Sequence, residues 1–130
     1  ILGEYNIKTD ELRWVNGGHQ PAIIRSNNGD YEQFESNSPP MGVILQPDKS
    51  VYKTHKVKLK NKRLFAFTDG LSESLNSSGE EIGIDGSIKI IEDNFNNNIG
   101  KQLTDISNMV VKTAGKNSLS DDLTLICIGN

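Results

Sequence analysis

The sequence predicts an α+β domain in which helices pack against a largely antiparallel sheet. Up to about Glu35, short apolar runs alternate with polar and Gly-containing turns at intervals of about 10 residues, a spacing typical of antiparallel strands. From Leu71 onward the apolar residues recur at helical spacing, and the last apolar run is rich in residues that favour strands. Strands, then helices, then one final strand favour the α+β class.

The amino-terminal half predicts a meander of strands separated by polar turns. Its first four strands are predicted at residues 1–7, 12–16, 21–25 and 31–35. Residues 42–45 predict a short extended return after a loop that contains two prolines. Residues 51–59 alternate imperfectly between apolar and polar and predict a half-buried strand. Residues 64–67 are apolar and aromatic, and they predict a strand of the core.

The carboxyl-terminal half predicts helices and one more strand. Leu71 and Leu75 lie four residues apart, which indicates a short helix. Two longer amphipathic helices are predicted from apolar residues at helical spacing, the second ending near Ala114-Gly115: Ile84, Ile88, Ile91 and Phe95, then Ile99, Leu103, Ile106 and Val110. Residues 123–128 predict a buried strand.

Composition bounds the function classes. The 130 residues suffice for one domain or part of one, and the net charge of -3 argues against a nucleic-acid partner. No apolar stretch of about 18 residues is present, so we expect a soluble segment without membrane contact. Cys127 is the single cysteine and is expected to be a small core residue in a reducing, cytoplasmic compartment. Because the chain begins with Ile1, we expect it to be a piece of a longer protein.

Asp69 follows the predicted core strand after Thr68 and is itself followed by Gly70. A carboxylate at the carboxyl end of a rigid strand is well placed to hold a ligand. Gly70 lets the backbone turn away without a Cβ clash. A plain tight turn of the Asp-Gly type is the alternative that this stretch leaves open.

Asp121 and Asp122 stand together before the last strand. Adjacent acids repel each other and favour a counter-ion. If the last strand lies beside the core strand, Asp121 can converge with Asp69. Oxygen ligands without His or Cys favour Mg²⁺ or Mn²⁺ over zinc. A solvated loop is the alternative for this pair.

The remaining polar candidates are expected to be structural or solvated. His19 is expected to form a hydrogen bond that fixes the Gly17-Gly18 turn, and His55 is expected to be exposed among lysines. No phosphate-binding Gly-x-x-x-x-Gly-Lys loop and no nucleophile elbow is present. Helix-surface acids are expected to be solvated, namely Glu73, Glu80, Glu81 and Asp85.

Five segments taken together resemble a known family. In order, they are Trp14-Val-Asn-Gly-Gly-His-Gln-Pro-Ala22, Pro40-Met-Gly-Val43, Phe67-Thr-Asp-Gly-Leu-Ser-Glu73, Gly79-Glu-Glu-Ile-Gly83 and Asp121-Asp-Leu-Thr-Leu125. This order resembles the SpoIIE/RsbU-type serine phosphatases, the bacterial branch of the metal-dependent protein phosphatase 2C-like (PPM) family. The segments span nearly the whole chain.

The resemblance implies an αββα sandwich of largely antiparallel sheets flanked by helices, with a binuclear Mn²⁺ or Mg²⁺ site. It implies hydrolysis of phosphoserine or phosphothreonine on a protein, such as an anti-anti-sigma factor with a STAS domain. On the family pattern Asp69 and Asp121 are metal ligands, Gly70 fixes the turn that aims Asp69, and Asp122 is a supporting acid. The implied mechanism is in-line attack on phosphorus by a metal-activated water.

One departure from the family pattern concerns an earlier Gly-rich motif whose acid bridges the two metals. No segment of this chain matches it, so we expect the carboxyl-terminal two thirds of such a domain, truncated at its amino terminus. We expect the piece to be inactive alone and to self-associate through uncovered sheet edges. Two alternatives stay open: a non-catalytic regulatory module with a phosphatase-like fold, and a phosphohydrolase of small molecules.

Overall fold

The computed structural model describes residues 1–46, 48–114 and 121–129. Within them the chain forms seven strands and three helices, which gives the predicted α+β fold. In chain order the elements are β1 (Leu2–Asn6), β2 (Glu11–Val15), β3 (Ala22–Ser26), β4 (Tyr31–Phe34), β5 (His55–Lys58), β6 (Lys62–Phe67), α1 (Asp69–Ser72), α2 (Gly83–Asp93), α3 (Ile99–Ala114) and β7 (Leu125–Gly129).

The strands form two antiparallel sheets. The first has the order β1-β2-β5, with Tyr5 opposite Leu12 and Leu12 opposite Val57. The second has the order β4-β3-β6-β7, with Ile23 opposite Phe65. The predicted core strand is therefore β6, an interior strand of the second sheet.

The chain divides into two compact units, and the first comprises residues 1–65 with the chain end from Ile128. In β2 the buried Leu12 and Trp14 alternate with the exposed Arg13, which is the period expected of a half-buried strand. The Trp14 ring stacks on His55 at 5.0 Å and meets Phe34 edge-on at 5.2 Å. Further buried apolar side chains complete this core: Ala22, Ile23, Ile24, Leu59, Leu64 and Phe65.

The second unit, Ala66–Cys127, contains all three helices. Each helix buries one face, and four of the eight apolar residues that the helical spacing selects are buried; the other four are half-buried, namely Ile84, Phe95, Ile99 and Leu103. The fully buried apolar side chains of this unit are Phe67, Leu71, Ile91, Ile106 and Val110, with Ile88 only 5% exposed. None of the helices in the described ranges is both long and apolar enough to cross a membrane.

Two of the predicted strands are wrong in whole or in part. Residues 42–45 form a turn and a bend, and Leu45 is 92% exposed. The strand predicted at 51–59 is confined to β5, and it is preceded by a single 3₁₀ turn at Lys49–Val51. The first error comes from interpreting a short apolar run as a strand, and the second from extending an imperfect alternation beyond the residues that pair.

Three burial predictions also need correction. His55 is half-buried because its ring stacks on Trp14. The last strand β7 is half-buried rather than buried, with Ile126 51% exposed, and Cys127 is likewise half-buried. Gly115, predicted to end the last helix, lies outside the described residues.

Candidate metal centre

Asp69 is presented by the junction between β6 and α1. Thr68 is extended and stands at the N-cap position, so Asp69 is the first residue of α1. A carboxylate in the first turn is favoured by the helix dipole. The side chain is exposed, and its Oδ1 accepts a hydrogen bond from the Gly70 amide at 3.1 Å. The predicted short helix therefore exists, but it begins at Asp69 itself.

Asp121 and Asp122 lie on the segment that leads into β7, and both are exposed. The Asp122 amide donates to Asp121 Oδ1 at 2.7 Å, which fixes the Asp121 carboxylate against its own backbone. Each of the two predicted ligands thus has one oxygen held by the amide of the following residue.

Two short segments lie against each other: one contains Asp69, and the other directly follows Asp121. We call them the 68–70 segment and the 122–124 segment. The Thr68 amide donates to the Thr124 carbonyl at 3.0 Å, and the Thr124 amide donates to Thr68 Oγ1 at 2.9 Å. The Thr68 hydroxyl donates to the Asp122 carbonyl at 2.9 Å. Residues next to Asp69 and next to Asp121 are therefore in direct contact.

Gly70 makes this contact possible in a way that differs from the prediction. A Cβ at this position would lie 2.5 Å from the Asp122 carbonyl oxygen and 2.8 Å from its carbon. The backbone torsion φ of Gly70 is not positive, so the residue is not required by the turn. Glycine is needed because the backbone of Asp122 occupies the space of a side chain.

Two serines anchor α1, and sequence reasoning did not single them out. The Ser74 hydroxyl donates to the Gly70 carbonyl at 2.5 Å, and Ser72 donates to the Asp69 carbonyl at 3.3 Å. Ser74 is 2% exposed, and its own carbonyl accepts from the Ile82 amide at 2.8 Å. The available signal was a serine three or four residues beyond an Asp-Gly pair, where its hydroxyl reaches back to a helix carbonyl.

The other polar residues singled out in the sequence are structural or exposed to solvent. His19 fixes its loop as expected: its amide donates to Asn16 Oδ1 at 3.0 Å, and its ring Nδ1 lies 3.1 Å from the Gln20 carbonyl oxygen. Gly18 in that loop has a φ of 78°, which a residue with a Cβ rarely adopts. The helix-surface acids are exposed as predicted, namely Glu73, Glu80, Glu81 and Asp85.

The chemistry of Asp69 and Asp121 suits a hard divalent cation. Both provide carboxylate oxygens, which Mg²⁺ and Mn²⁺ prefer. Neither forms an ion pair with a Lys, Arg or His in the described part of the chain. Within the same ranges no three His, Cys, Asp or Glu side chains form a group that could hold a metal. Asp69 and Asp121 therefore remain candidates for two ligands, and the described residues do not supply a full set.

A family model and several solved structures match the chain. The model described as Stage II sporulation protein E (SpoIIE) covers residues 1–129. The chain is similar to the SiaA-PP2C domain of Pseudomonas aeruginosa, with a TM-score of 0.74 and 15% identity over 93% of this chain and 46% of that one. No curated protein matches the sequence.

Two further similar structures involve a divalent metal. One is the phosphatase domain of SpoIIE from Bacillus subtilis, presoaked with manganese, with a TM-score of 0.68 and 13% identity over 98% of this chain and 54% of that one. The other is RsbX in complex with magnesium, with a TM-score of 0.55 and 22% identity over 95% of this chain and 51% of that one. The chain thus spans about half the length of each of the three structures. At these identities the likeness establishes the fold.

Proposed function

The chain belongs to the SpoIIE family, and we propose that it forms part of a metal-dependent protein serine/threonine phosphatase. The single observation that supports this most directly is the contact between the 68–70 and 122–124 segments. The two aspartates are 52 residues apart in sequence, and this contact joins the backbone next to each of them. The pairing of β6 with β7 brings these strand ends together, but the fold alone does not require an acid at each of them.

In this proposal Asp69 and Asp121 ligate a divalent cation, Mn²⁺ or Mg²⁺. When bound, such a cation lowers the pKa of a water nucleophile and neutralises charge on the phosphoryl oxygens. Gly70 leaves room for the approach of the two segments, and Asp122 supports Asp121 through its amide. The negative charge of both aspartates, unpaired by described cations, favours a metal over an anion at this place.

The remaining parts of the proposal concern the whole protein. We propose that this chain is the carboxyl-terminal part of the catalytic domain, that further ligands come from another segment, and that the chain alone is inactive. The substrate class is a phosphorylated regulatory protein, such as a STAS-domain anti-anti-sigma factor, in the cytoplasm. Manganese and magnesium in two similar structures support the choice of metal.

The test is Asp69→Asn in the full-length protein, with Asp85→Asn as its matched control. Asp85 is an exposed acid on α2 in the same unit, so it removes the same charge away from the site. We expect Asp69→Asn to lower Mn²⁺-dependent hydrolysis of a phosphoserine peptide by about 100-fold or more, because a metal contributes several kcal/mol at the transition state. Asp85→Asn should retain wild-type turnover.

Unchanged activity of Asp69→Asn would refute the enzymatic role of this site and favour a non-catalytic signalling module. Competition between the phosphoserine peptide and a small phosphate ester separates a protein phosphatase from a phosphohydrolase of small molecules. Hydrolysis of p-nitrophenyl phosphate by residues 1–130 at the full-length rate would refute the inactivity of the isolated chain.

A further inference from the structure

Thr68 uses its side chain in an unusual way for its position. It is the N-cap of α1, where a threonine hydroxyl normally accepts from an amide of the first turn. Its hydroxyl makes no such bond. The Leu71 amide donates to the Thr68 backbone carbonyl instead, at 3.1 Å. The hydroxyl is therefore left available for partners outside the helix.

Those partners belong to the 122–124 segment. The hydroxyl donates to the Asp122 carbonyl and accepts from the Thr124 amide, both at 2.9 Å. The threonine hydroxyl thus acts both as a hydrogen-bond donor and as an acceptor. Thr68 is thus bonded to two residues that lie 54 and 56 positions further along the chain.

A short path of hydrogen bonds connects this hydroxyl to the second aspartate. Asp122 accepts from Thr68 through its carbonyl and donates through its amide to Asp121 Oδ1 at 2.7 Å. Asp69 is covalently attached to Thr68. The Thr68 hydroxyl therefore connects the two proposed ligands. Asp69 is the next residue after Thr68, and Asp121 is reached through the single residue Asp122.

Repulsion between the two carboxylates explains why such a connection is needed. Two carboxylates brought close together repel each other when no cation lies between them. The 68–70 and 122–124 segments must be held together by other bonds if the site is to keep its shape without a metal. Preorganised ligands bind a metal more tightly because less rearrangement accompanies binding.

From these contacts we infer that Thr68 is a positioning residue that holds Asp69 and Asp121 in place for a divalent cation through its hydroxyl. The inference rests on the proposed function, since it assigns Thr68 to the same metal centre. Thr68 does not touch the cation in this role. It acts through Asp122 and the backbone of Asp69.

The experiment compares Thr68→Val, which keeps the shape and removes the hydroxyl, with Thr68→Ser, which keeps the hydroxyl. Thr104→Val is the matched control, because Thr104 donates its hydroxyl only to the Gly100 carbonyl within α3. Mn²⁺ alone is titrated into each full-length variant, and free Mn²⁺ is measured by electron paramagnetic resonance. We expect Thr68→Val to weaken Mn²⁺ binding by about 10- to 100-fold. Thr68→Ser and Thr104→Val should bind as the wild type does.

Wild-type affinity in a folded Thr68→Val overturns the inference, while loss of binding in Asp69→Asn under the same conditions leaves the proposed function standing. If the wild type binds no Mn²⁺, the proposed function fails and this inference fails with it. If Thr68→Val does not fold, amide exchange of metal-free wild type decides. Thr124 is exposed, so its amide should be protected, by on the order of tenfold or more, only if Thr68 holds it. Exchange at the rate of a free amide overturns the inference.

Discussion

Replacing Gly70 by alanine tests the contact between the 68–70 and 122–124 segments. The new Cβ would lie 2.5 Å from the Asp122 oxygen, 2.8 Å from the Asp122 carbon and 3.1 Å from the Leu123 nitrogen. All three are backbone atoms, so no side-chain rotation relieves the overlap. An ordinary contact begins at 3.4 Å, so the segments would have to separate by about 1 Å.

The free-energy cost follows from what that separation breaks. The two hydrogen bonds of the Thr68 hydroxyl are 2.9 Å long, and about 1 Å of lengthening removes both. Each contributes about 0.5–1.5 kcal/mol to stability. Alanine returns up to about 1 kcal/mol because it favours the helix over glycine. We expect a net loss of about 1–2 kcal/mol in the free energy of unfolding.

Urea denaturation followed by circular dichroism at 222 nm measures this loss, since all three helices lie in the same unit as Gly70. Gly100→Ala is the matched control. The nearest atom to a Cβ there is Asn98 Oδ1 at 3.4 Å, so no overlap occurs and the helix preference of alanine should leave stability unchanged or raised. If Gly70→Ala is as stable as the wild type, the two segments do not touch as described, and the proposed site loses its main support.

Two further predictions concern the stability of each unit. Asn98 Oδ1 accepts from the Lys101 amide at 2.9 Å, so Asn98→Ala should lose about 1 kcal/mol in the same urea assay, whereas Asn108→Ala, on an exposed position inside α3, should not. Lys56 and then Arg13 lower the pKa of Glu11, so the stabilisation by Glu11 is present above its ordinary pKa and is lost as the pH falls through the lowered value. The stability gap between wild type and Glu11→Gln should therefore be larger at pH 7 than at about pH 3. A gap of equal size at both pH values would contradict this origin.

The sequence predicted those elements whose signal comes from residues that bury one another. Ile88 and Ile91 in α2, and Ile106 and Val110 in α3, are buried on the faces that their spacing selects. The failures share a cause as well. The apolar residues at 42–45 resemble those of a strand, yet whether a partner strand lies beside them depends on distant parts of the chain, and Val43 is 69% exposed.

In the candidate site, too, the residues with a local signal could be predicted and those with distant partners could not. Asp69 and Asp121 could be singled out because an acid at the end of an apolar strand stands out locally. The role of Thr68 could not, because a threonine between a strand and a helix already has an ordinary explanation as an N-cap. Its actual partners are more than 50 positions away. Hydrogen bonds of that range leave no trace in local composition.

The neighbours of each aspartate explain why the two motifs need more than their acids. In Thr-Asp-Gly, the threonine provides the hydroxyl and the amide that bind the 122–124 segment. The glycine has no Cβ that would collide with that segment. In Asp-Asp-Leu-Thr, Asp122 provides the carbonyl that lies against Gly70, and Thr124 provides the amide and carbonyl that pair with Thr68. Removing one of these groups would weaken the contact between the segments while both carboxylates remain in the sequence. In the proposed site, Asp69 therefore depends on Thr68 and Gly70 on either side of it, and this dependence can be tested one residue at a time.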